Sequence, residues 1–163
     1  MSATVRRLRE GDVRPLVEDL WLPFAREMES VADRNRLADD VDLVERGVEH
    51  REGRLAADGA VTWVAVDGGD LVGYAAASVE SPPPVFAAGD RLHLGELYVR
   101  EPYRGEGVAG ALLDRVDETA AARDCERVTL DVDVANERAR AFYEKRGFAV
   151  ARHRMTDRTR DGE

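Results

Sequence analysis

The clearest chemical signature in the sequence is a glycine-rich segment, "YRGEGVAGALL", from Tyr103 to Leu113. Its residues 105–110 read G-E-G-V-A-G, which matches the GxGxxG pattern of dinucleotide-binding folds. Closely spaced glycines let backbone N–H groups approach a phosphate, and a helix that starts there favours an anion. Arg104 adds a guanidinium directly before the first glycine. The segment predicts a phosphate site but leaves the phosphorylated cofactor open.

A dinucleotide-binding fold is the first interpretation of this loop. It requires an acidic residue about 20 residues further on, and Asp131 and Asp133 are in range. The fingerprint normally opens its domain, whereas this loop begins at residue 105 and only residues 134–163 follow Asp133. That remainder is too short for the rest of a doubly wound sheet. The ATP-binding pattern G-x-x-x-x-G-K-[ST] does not occur in the sequence.

Other reactive side chains show no pattern of a metal or thiol site. Cys125 is the only cysteine, which excludes a disulfide framework or a cysteine-based zinc site within one chain. The histidines His50, His93 and His153 lack metal-ligand spacing, and Asp131-x-Asp133 lacks the context of a calcium loop. We expect no metal.

The charge of the chain limits its partners. The formal net charge is −9, and Lys145 is the only lysine among 24 basic residues. So acidic a surface disfavours nucleic acid and anionic membranes. Arginine in place of lysine suits a high-salt cytoplasm, so a halophilic origin is one hypothesis, and genomic base composition is the other. No apolar run approaches 18 residues, and no apolar segment follows the basic start, which predicts a cytoplasmic protein.

The elements that must position the loop change period near residue 60. Amphipathic helical spacing precedes that point, with a bend predicted around Pro23, and strand-like alternation follows it. The order β-α-α-β-β-β-α-β-α-β predicts an α/β fold with an antiparallel N-terminal half and a βαβ unit. The whole chain, 1–163, is expected to form one domain with a frayed tail at 156–163. Strands are predicted over 4–9, 61–67, 70–79, 91–99, 127–134 and 148–155, and helices over 10–29, 37–56, 108–120 and 136–147.

Two motifs together resemble the GNAT acetyltransferase superfamily. The first is "LGELYVREPYRGEGVAGALL", which contains the acetyl-CoA loop [RQ]-x-x-G-x-[GA] at Arg104, Gly107 and Ala109. The second is "LDVDVANERARAFYEKRGF", which contains N-x-x-A-x-x-[FYL]-Y-x-x-x-G-F. The second pattern is matched at Asn136, Ala139, Phe142, Tyr143, Gly147 and Phe148. The motifs cover about residues 92–150, and the preceding order of elements also fits a GNAT fold.

The resemblance implies an acetyl-CoA site with no metal. The loop would bind the pyrophosphate through backbone N–H groups, and Arg104 would add its charge. Strand residues would offer backbone groups to the pantetheine arm, where the strand splays open in relatives. Asn136 would contact the pantetheine as well as cap its helix, and Tyr143 would lie beside the thiol. The implied cofactor residues are Leu97, Tyr98, Val99, Arg104, Gly105, Glu106, Gly107, Val108, Ala109, Gly110, Asn136 and Tyr143.

The implied reaction is acetyl transfer from acetyl-CoA to an amine, which needs a base and an acid. Tyr143 is the expected general acid. Glu96 is the favoured general base, on the strand face opposite His93, Leu97 and Val99, and Asp131 is the competing candidate.

The partners implied are an amine acceptor and, as an open alternative, a second copy of the chain in a homodimer. In such folds the first two helices and the loop before the fourth strand select the acceptor, and an acidic cleft would suit a cationic amine. A non-catalytic acyl-CoA-binding module is the alternative function.

Overall fold

The chain forms a five-stranded mixed sheet in the computed structural model, which describes residues 3–159. The described residues group into two units, one up to Asp131 and one from Val132 onward. The strands are β1 (Thr4–Arg7), β2 (Ala60–Asp67), β3 (Asp70–Glu80), β4 (Arg91–Val99) and β5 (Arg127–Leu130). The helices are α1 (Val13–Leu16), α2 (Leu22–Glu29), α3 (Leu43–Ala56), α4 (Val108–Ala122) and α5 (Glu137–Lys145).

The sheet confirms the predicted α/β class. Its strand order is β1-β2-β3-β4-β5. The first four strands pair antiparallel. β4 and β5 pair in parallel, and the helix α4 connects them. The β2–β3 turn has φ values of 58° at Gly68 and 89° at Gly69, a conformation that glycine adopts without strain.

Helices cover both faces of the sheet. Tyr74 of β3 lies in a buried cluster with side chains of α1 and of the segment between α1 and α2. The next residue, Ala75, pairs with Trp63 of β2, whose indole Nε1 donates to the hydroxyl of Thr119 on α4 at 3.0 Å. Because successive side chains of a strand point to opposite faces, α4 lies on the face opposite the N-terminal helices.

A bulge at Gly95 interrupts the ladder between β3 and β4. The pairing passes from Ala76–Glu96 to Ala77–Leu94, which leaves Gly95 without a partner on β3. In the described chain the β4–β5 ladder covers Arg91–Leu94 and 127–130, so it ends at the same point. The rest of β4 extends beyond the parallel ladder, as the resemblance predicts.

The bulge also changes which residues of β4 share a face. Glu96 faces away from Leu97 and Val99, as predicted. His93 was expected on the face of Leu97, but it shares the face of Glu96, because their partners on β3 are two residues apart. The alternation rule fails here because the extra residue shifts the period of the strand.

The N-terminal helices differ from the prediction in how they accommodate Pro23. In place of a bend at that residue, a π-helical turn over Val17–Trp21 runs directly into α2, and Pro23 lies in the first turn of α2. The Leu22 N–H donates to the Val17 carbonyl, so Pro23 follows the last π-helical hydrogen bond. A missing N–H is tolerated at this point because the helical ladder changes its spacing here. The next helix begins at Leu43 rather than 37, since the Asp42 side chain accepts from the Glu45 N–H at 3.1 Å and caps it.

Two glycines of α3 have opposite packing, which predicts opposite effects of alanine. A Cβ at Gly47 would lie 2.8 Å from Val17 Cγ1, whereas nothing lies within 4 Å of one at Gly53. We expect Gly47→Ala to lower the free energy of unfolding by about 1 kcal/mol, since overpacking outweighs the gain in helix propensity. Gly53→Ala is expected to raise it by about 0.5–1 kcal/mol. Urea unfolding of both variants measures the difference, and equal shifts would contradict it.

The C-terminal unit contains α5 and no β-strand among its described residues, up to 159. The predicted sixth strand at 148–155 is wrong, since these residues form no ladder. β5 is also shorter than predicted and ends at Leu130. Of the predicted frayed tail, residues 160–163 lie outside the described chain. None of the helices within residues 3–159 combines the length and the apolar character needed to cross a membrane.

Candidate active site

Two glycines of the loop have a left-handed backbone conformation. Gly105 and Gly107 have φ values of 80° and 86°, a region that other residues adopt only with strain. Gly107 is the N-cap of α4, so the first N–H groups of that helix lie at the end of the loop. The helix dipole favours negative charge at this end. Of the other predicted loop residues, Glu106 is exposed and Val108 is buried.

The Arg104 guanidinium is occupied within the protein. Its Nη2 donates to both carboxylate oxygens of Glu27 on α2, at 3.1 and 3.0 Å. Its Nε donates to the Val99 carbonyl at 2.8 Å, and its centre lies 5.4 Å from the ring centroid of Tyr98. The side chain therefore fixes the loop against α2 and the end of β4, and the charge we predicted for a phosphate is neutralised by Glu27. The backbone N–H groups of the loop are therefore the remaining candidates for binding an anion.

Leu97, Tyr98 and Val99 lie on the part of β4 beyond the parallel ladder. Tyr98 is buried, and burial followed by the neighbouring Glu27 raises the pKa of its phenol. The Val99 carbonyl already accepts one hydrogen bond from Arg104, which leaves it one further lone pair. Backbone groups of this and the neighbouring positions are the ones that this edge can offer to a ligand.

Glu96 forms a salt bridge with Arg51 of α3, a contact that was not predicted. The Arg51 side chain is 3% exposed and that of Glu96 is 24% exposed. The guanidinium also lies 5.4 Å from the ring centroid of Tyr74. Burial and then the Glu96 charge raise the pKa of the Tyr74 phenol well above its usual range. Glu96 is thus held on the face of the sheet that the N-terminal helices and α3 cover.

An open cavity of about 290 Å³ lies in front of Glu96. The lining combines the π-helical turn, one side of α3 and the β4 bulge. Burial and then the Arg51 charge lower the pKa of His50, so this imidazole is neutral at pH 7. The lining residues are Trp21, Arg46, Gly47, His50, Arg51 and Glu96.

Asp131, the competing base, lies after the end of β5. Its side chain is 92% exposed, and one carboxylate oxygen lies 3.7 Å from His93 Nε2. The other ring nitrogen of His93 lies 2.9 Å from the Thr129 hydroxyl. His93 lies on the same face of β4 as Glu96, so this face carries both carboxylates that are candidates for the base.

The C-terminal unit holds Asn136 and Tyr143 through local contacts. The Asn136 side chain accepts from the Ala139 N–H at 3.2 Å and caps α5, as predicted. At the other end, Gly147 has φ 102° and the Phe148 N–H donates to the Tyr143 carbonyl at 3.0 Å. This is a Schellman ending, which places Phe148 against the last turn.

The Tyr143 ring lies between two other aromatic rings. Its centroid is 5.4 Å from that of Phe142 and 5.6 Å from that of Phe148. Burial raises the pKa of Tyr143 to about 12. The phenol therefore stays protonated over the range in which proteins are assayed.

Metal ligation has no support in residues 3–159. No group of three or more His, Cys, Asp or Glu side chains is close enough there to hold an ion. Cys125 is half-buried.

Comparison with known proteins identifies the family of these motifs. Residues 16–148 match the sequence model described as Acetyltransferase (GNAT) family. The chain is 39% identical over 104 residues to the mycothiol acetyltransferase of Beutenbergia cavernae. The matched segment covers 63% of this chain and 33% of that protein. The next two curated relatives are also matched over less than half of their length, 33% and 48%.

Solved acetyltransferase structures share the fold. An aminoglycoside N-acetyltransferase in complex with CoA has a TM-score of 0.72 at 16% identity, covering 98% of this chain and 95% of the other. A predicted acetyltransferase with acetyl-CoA from Clostridium acetobutylicum has a TM-score of 0.73 at 19% identity, covering 96% of both chains. The family match extends over most of the sequence and includes both motifs, and the chain belongs to the GNAT acetyltransferase family.

Proposed function

We propose that the protein transfers an acetyl group from acetyl-CoA to a primary amine by direct attack in a ternary complex. The observation that carries the proposal is the place of Glu96. It lies beside the bulge where the β4–β5 ladder ends. It also lines the open cavity on the face that the N-terminal helices and α3 cover. One carboxylate thereby adjoins both the strand edge proposed for the thioester and a space for an acceptor.

The proposed cofactor contacts use backbone groups. The loop from Arg104 to Gly110 and the first turn of α4 would bind the pyrophosphate. The exposed edge of β4 would hold the pantetheine and the thioester carbonyl, and Asn136 would contact the pantetheine. Acetyl-CoA supplies the activated acetyl group as a co-substrate, and no metal is proposed.

The proposed step balances as follows. Glu96 accepts a proton from the ammonium form of the acceptor, directly or through water, which frees the nitrogen lone pair. The nitrogen attacks the thioester carbonyl carbon, a C–N bond forms, and the C–S bond breaks as the tetrahedral adduct collapses. The second proton that the nitrogen must lose passes through water to the departing thiolate. The electron pair leaves with sulfur as the CoA thiolate, to which the Tyr143 O–H donates. Asp131 is the alternative base, but its side chain is almost fully exposed, whereas Glu96 is held in place by Arg51.

A thiol-release assay tests this function. The protein is given acetyl-CoA and a panel of primary amines at low and at molar salt, and mass spectrometry identifies the acetylated product. We expect amine-dependent thiol release matched by N-acetyl product. Tight CoA binding without turnover of any amine would favour the non-catalytic acyl-CoA-binding module. Binding of NAD(P) with no affinity for CoA would contradict both functions.

The setting of the enzyme is part of the proposal. We propose a cytoplasmic protein that acts on an amine and not on nucleic acid or membranes, because of its net charge of −9. We further propose that the chain forms a single catalytic domain and that two chains form a homodimer. Sedimentation would test the homodimer. The halophilic hypothesis predicts that the low-salt arm of the assay loses both fold and activity, and indifference to salt would contradict it.

A further inference from the structure

The cavity in front of Glu96 carries more positive than negative charge. Its lining holds two arginines and a single carboxylate, in a chain whose overall charge is negative. Arg51 and Glu96 form a salt bridge and neutralise each other. His50 is neutral at pH 7, since burial and Arg51 lower its pKa. The remaining charge of the lining is that of Arg46, which differs from the acidic cleft that the composition suggests.

Arg46 is available to bind an anion. Its guanidinium lies 3.7 Å from the Glu49 carboxylate, in a pair whose side chains are 72% and 67% exposed. Exposed pairs of this kind contribute little free energy, so exchange of Glu49 for another anion costs little. A guanidinium binds a carboxylate or a phosphate through paired hydrogen bonds.

The size of the cavity restricts the occupant. About 290 Å³ is close to the lower end of the range for small-molecule sites, about 300–1,000 Å³. Trp21 supplies an aromatic wall, and Gly47 leaves room beside it. The space fits a small molecule better than a protein segment.

We propose that the acceptor is a small primary amine that carries an anionic group, with its amine at Glu96 and its carboxylate or phosphate at Arg46. This inference rests on the proposed function and adds the class of substrate. The two charged side chains belong to different elements, β4 and α3, and line one cavity, so a single small molecule can contact both.

Matched pairs of amines test the proposal. Phenylalanine is compared with phenethylamine, and phosphoethanolamine with ethanolamine, so that each pair differs in the anionic group and the two pairs distinguish carboxylate from phosphate. We expect kcat/KM to favour the anionic member of at least one pair by about ten- to a hundredfold, the range for a charge-assisted contact. Arg46→Gln should remove most of this preference, because the loss of kcat/KM should be larger for the anionic amine than for the neutral one.

Arg14→Gln is the control. Arg14 forms a surface pair with Glu45 of α3 at 2.8 Å, with side chains 50% and 53% exposed, and does not line the cavity. This variant should keep the preference. A preference for the neutral amines, or equal losses on both members in Arg46→Gln, would overturn the proposal.

Binding separates this inference from the proposed function. Titration calorimetry of the same amines with the CoA-bound protein measures the preference without turnover. A preference in binding with no thiol release would support the anion site and contradict the acetyltransfer. Turnover without a preference would support the acetyltransfer and contradict the anion site. The absence of any preference in either measurement would overturn the inference.

Discussion

Glu96→Gln is expected to lower kcat by about 10²- to 10⁴-fold, the usual contribution of a general base. Glutamine keeps the shape and a hydrogen-bond acceptor but cannot take the proton from the acceptor's ammonium. Affinity for acetyl-CoA should change little, because the phosphate contacts proposed for the loop do not involve this side chain. Steady-state kinetics together with calorimetric titration of CoA measure the two effects separately.

The salt bridge with Arg51 complicates this substitution, since it removes one partner of a buried ion pair. Arg51 is 3% exposed, and an uncompensated buried charge costs about 3–5 kcal/mol. Glu96→Gln should therefore also lower the free energy of unfolding, by less than that range because the amide oxygen still accepts a hydrogen bond. Loss of activity alone does not distinguish a missing base from a loosened fold.

The double variant Arg51→Met/Glu96→Gln separates the two causes. Replacement of both partners by neutral groups is often close to neutral for stability, so the double variant should regain most of the lost stability. It should not regain activity, because the carboxylate is still absent. Recovery of activity along with stability would show that Glu96 serves the fold and not the reaction.

Asp131→Asn is the matched control for the choice of base. Its side chain is 92% exposed, so the variant should fold normally. We expect it to retain most of the wild-type kcat. If instead the kcat of Asp131→Asn falls by about 10²- to 10⁴-fold and Glu96→Gln keeps the wild-type kcat, Asp131 is the base.

The sequence predicted the fold better than the side-chain contacts. Hydrophobic periodicity and glycine turns depend on neighbours in the chain, and they placed the five strands of the sheet and its antiparallel and parallel pairs. The sixth strand at 148–155 was wrong, because a strand needs a partner and local alternation does not show whether one is present. Chain-local patterns are therefore reliable where the local and tertiary requirements agree.

The partner of Glu96 was missed although a signal for it exists. The apolar positions of α3 include Val44, Val48 and Leu55, and the last two are seven positions apart. Arg51 occupies the inward-facing position between them. An arginine on the apolar stripe of a helix needs a buried acidic partner. The stripe thus predicts a buried ion pair, but it does not say which of the 33 acidic residues is the partner.

Two further features of the structure were not predicted from the sequence. The bulge at Gly95 brought His93 onto the face of Glu96, which alternation cannot anticipate because a bulge adds a residue to one strand only. The contact of the Arg104 guanidinium with Glu27, 77 positions away in the chain, was also not predicted. Both follow from contacts distant in sequence, which periodicity does not encode.

The Tyr143→Phe variant should lower kcat by about 10²- to 10³-fold, the usual cost of losing one donor to a developing anion. The phenol is proposed to donate to the thiolate as the C–S bond breaks. Phenylalanine keeps the ring contacts with Phe142 and Phe148, at 5.4 and 5.6 Å. Acetyl-CoA binding and the far-ultraviolet circular dichroism should therefore stay close to wild type.

The pKa of Tyr143 decides what kind of donor it is. Burial raises this pKa to about 12, whereas that of a free thiol is about 8.5. Full proton transfer to the thiolate would be uphill by about 5 kcal/mol, so we expect a hydrogen bond to the thiolate rather than a free proton transfer. Ionisation of Tyr143 should then cause no loss of kcat up to about pH 10.

The same shift predicts how stability depends on pH. The folded-state pKa of about 12 lies above the ordinary value of 10.0, so the unfolded chain loses its phenol proton first. The stabilisation is complete below about pH 10 and is lost between about pH 10 and 12, in total by about 2–3 kcal/mol. Tyr143→Phe should show a flatter decline over this range, measured by urea unfolding at each pH.

Tyr103→Phe distinguishes a catalytic hydroxyl from a structural one. Its phenol donates to Asp67 at 3.0 Å, a contact at the β2–β3 turn that takes no part in the proposed reaction. This control should keep its kcat, whereas Tyr143→Phe should lose it without a change in the KM for acetyl-CoA. If Tyr143→Phe keeps its kcat, or loses activity through KM alone, the hydroxyl does not stabilise the leaving thiolate and the ring serves only to pack the end of α5.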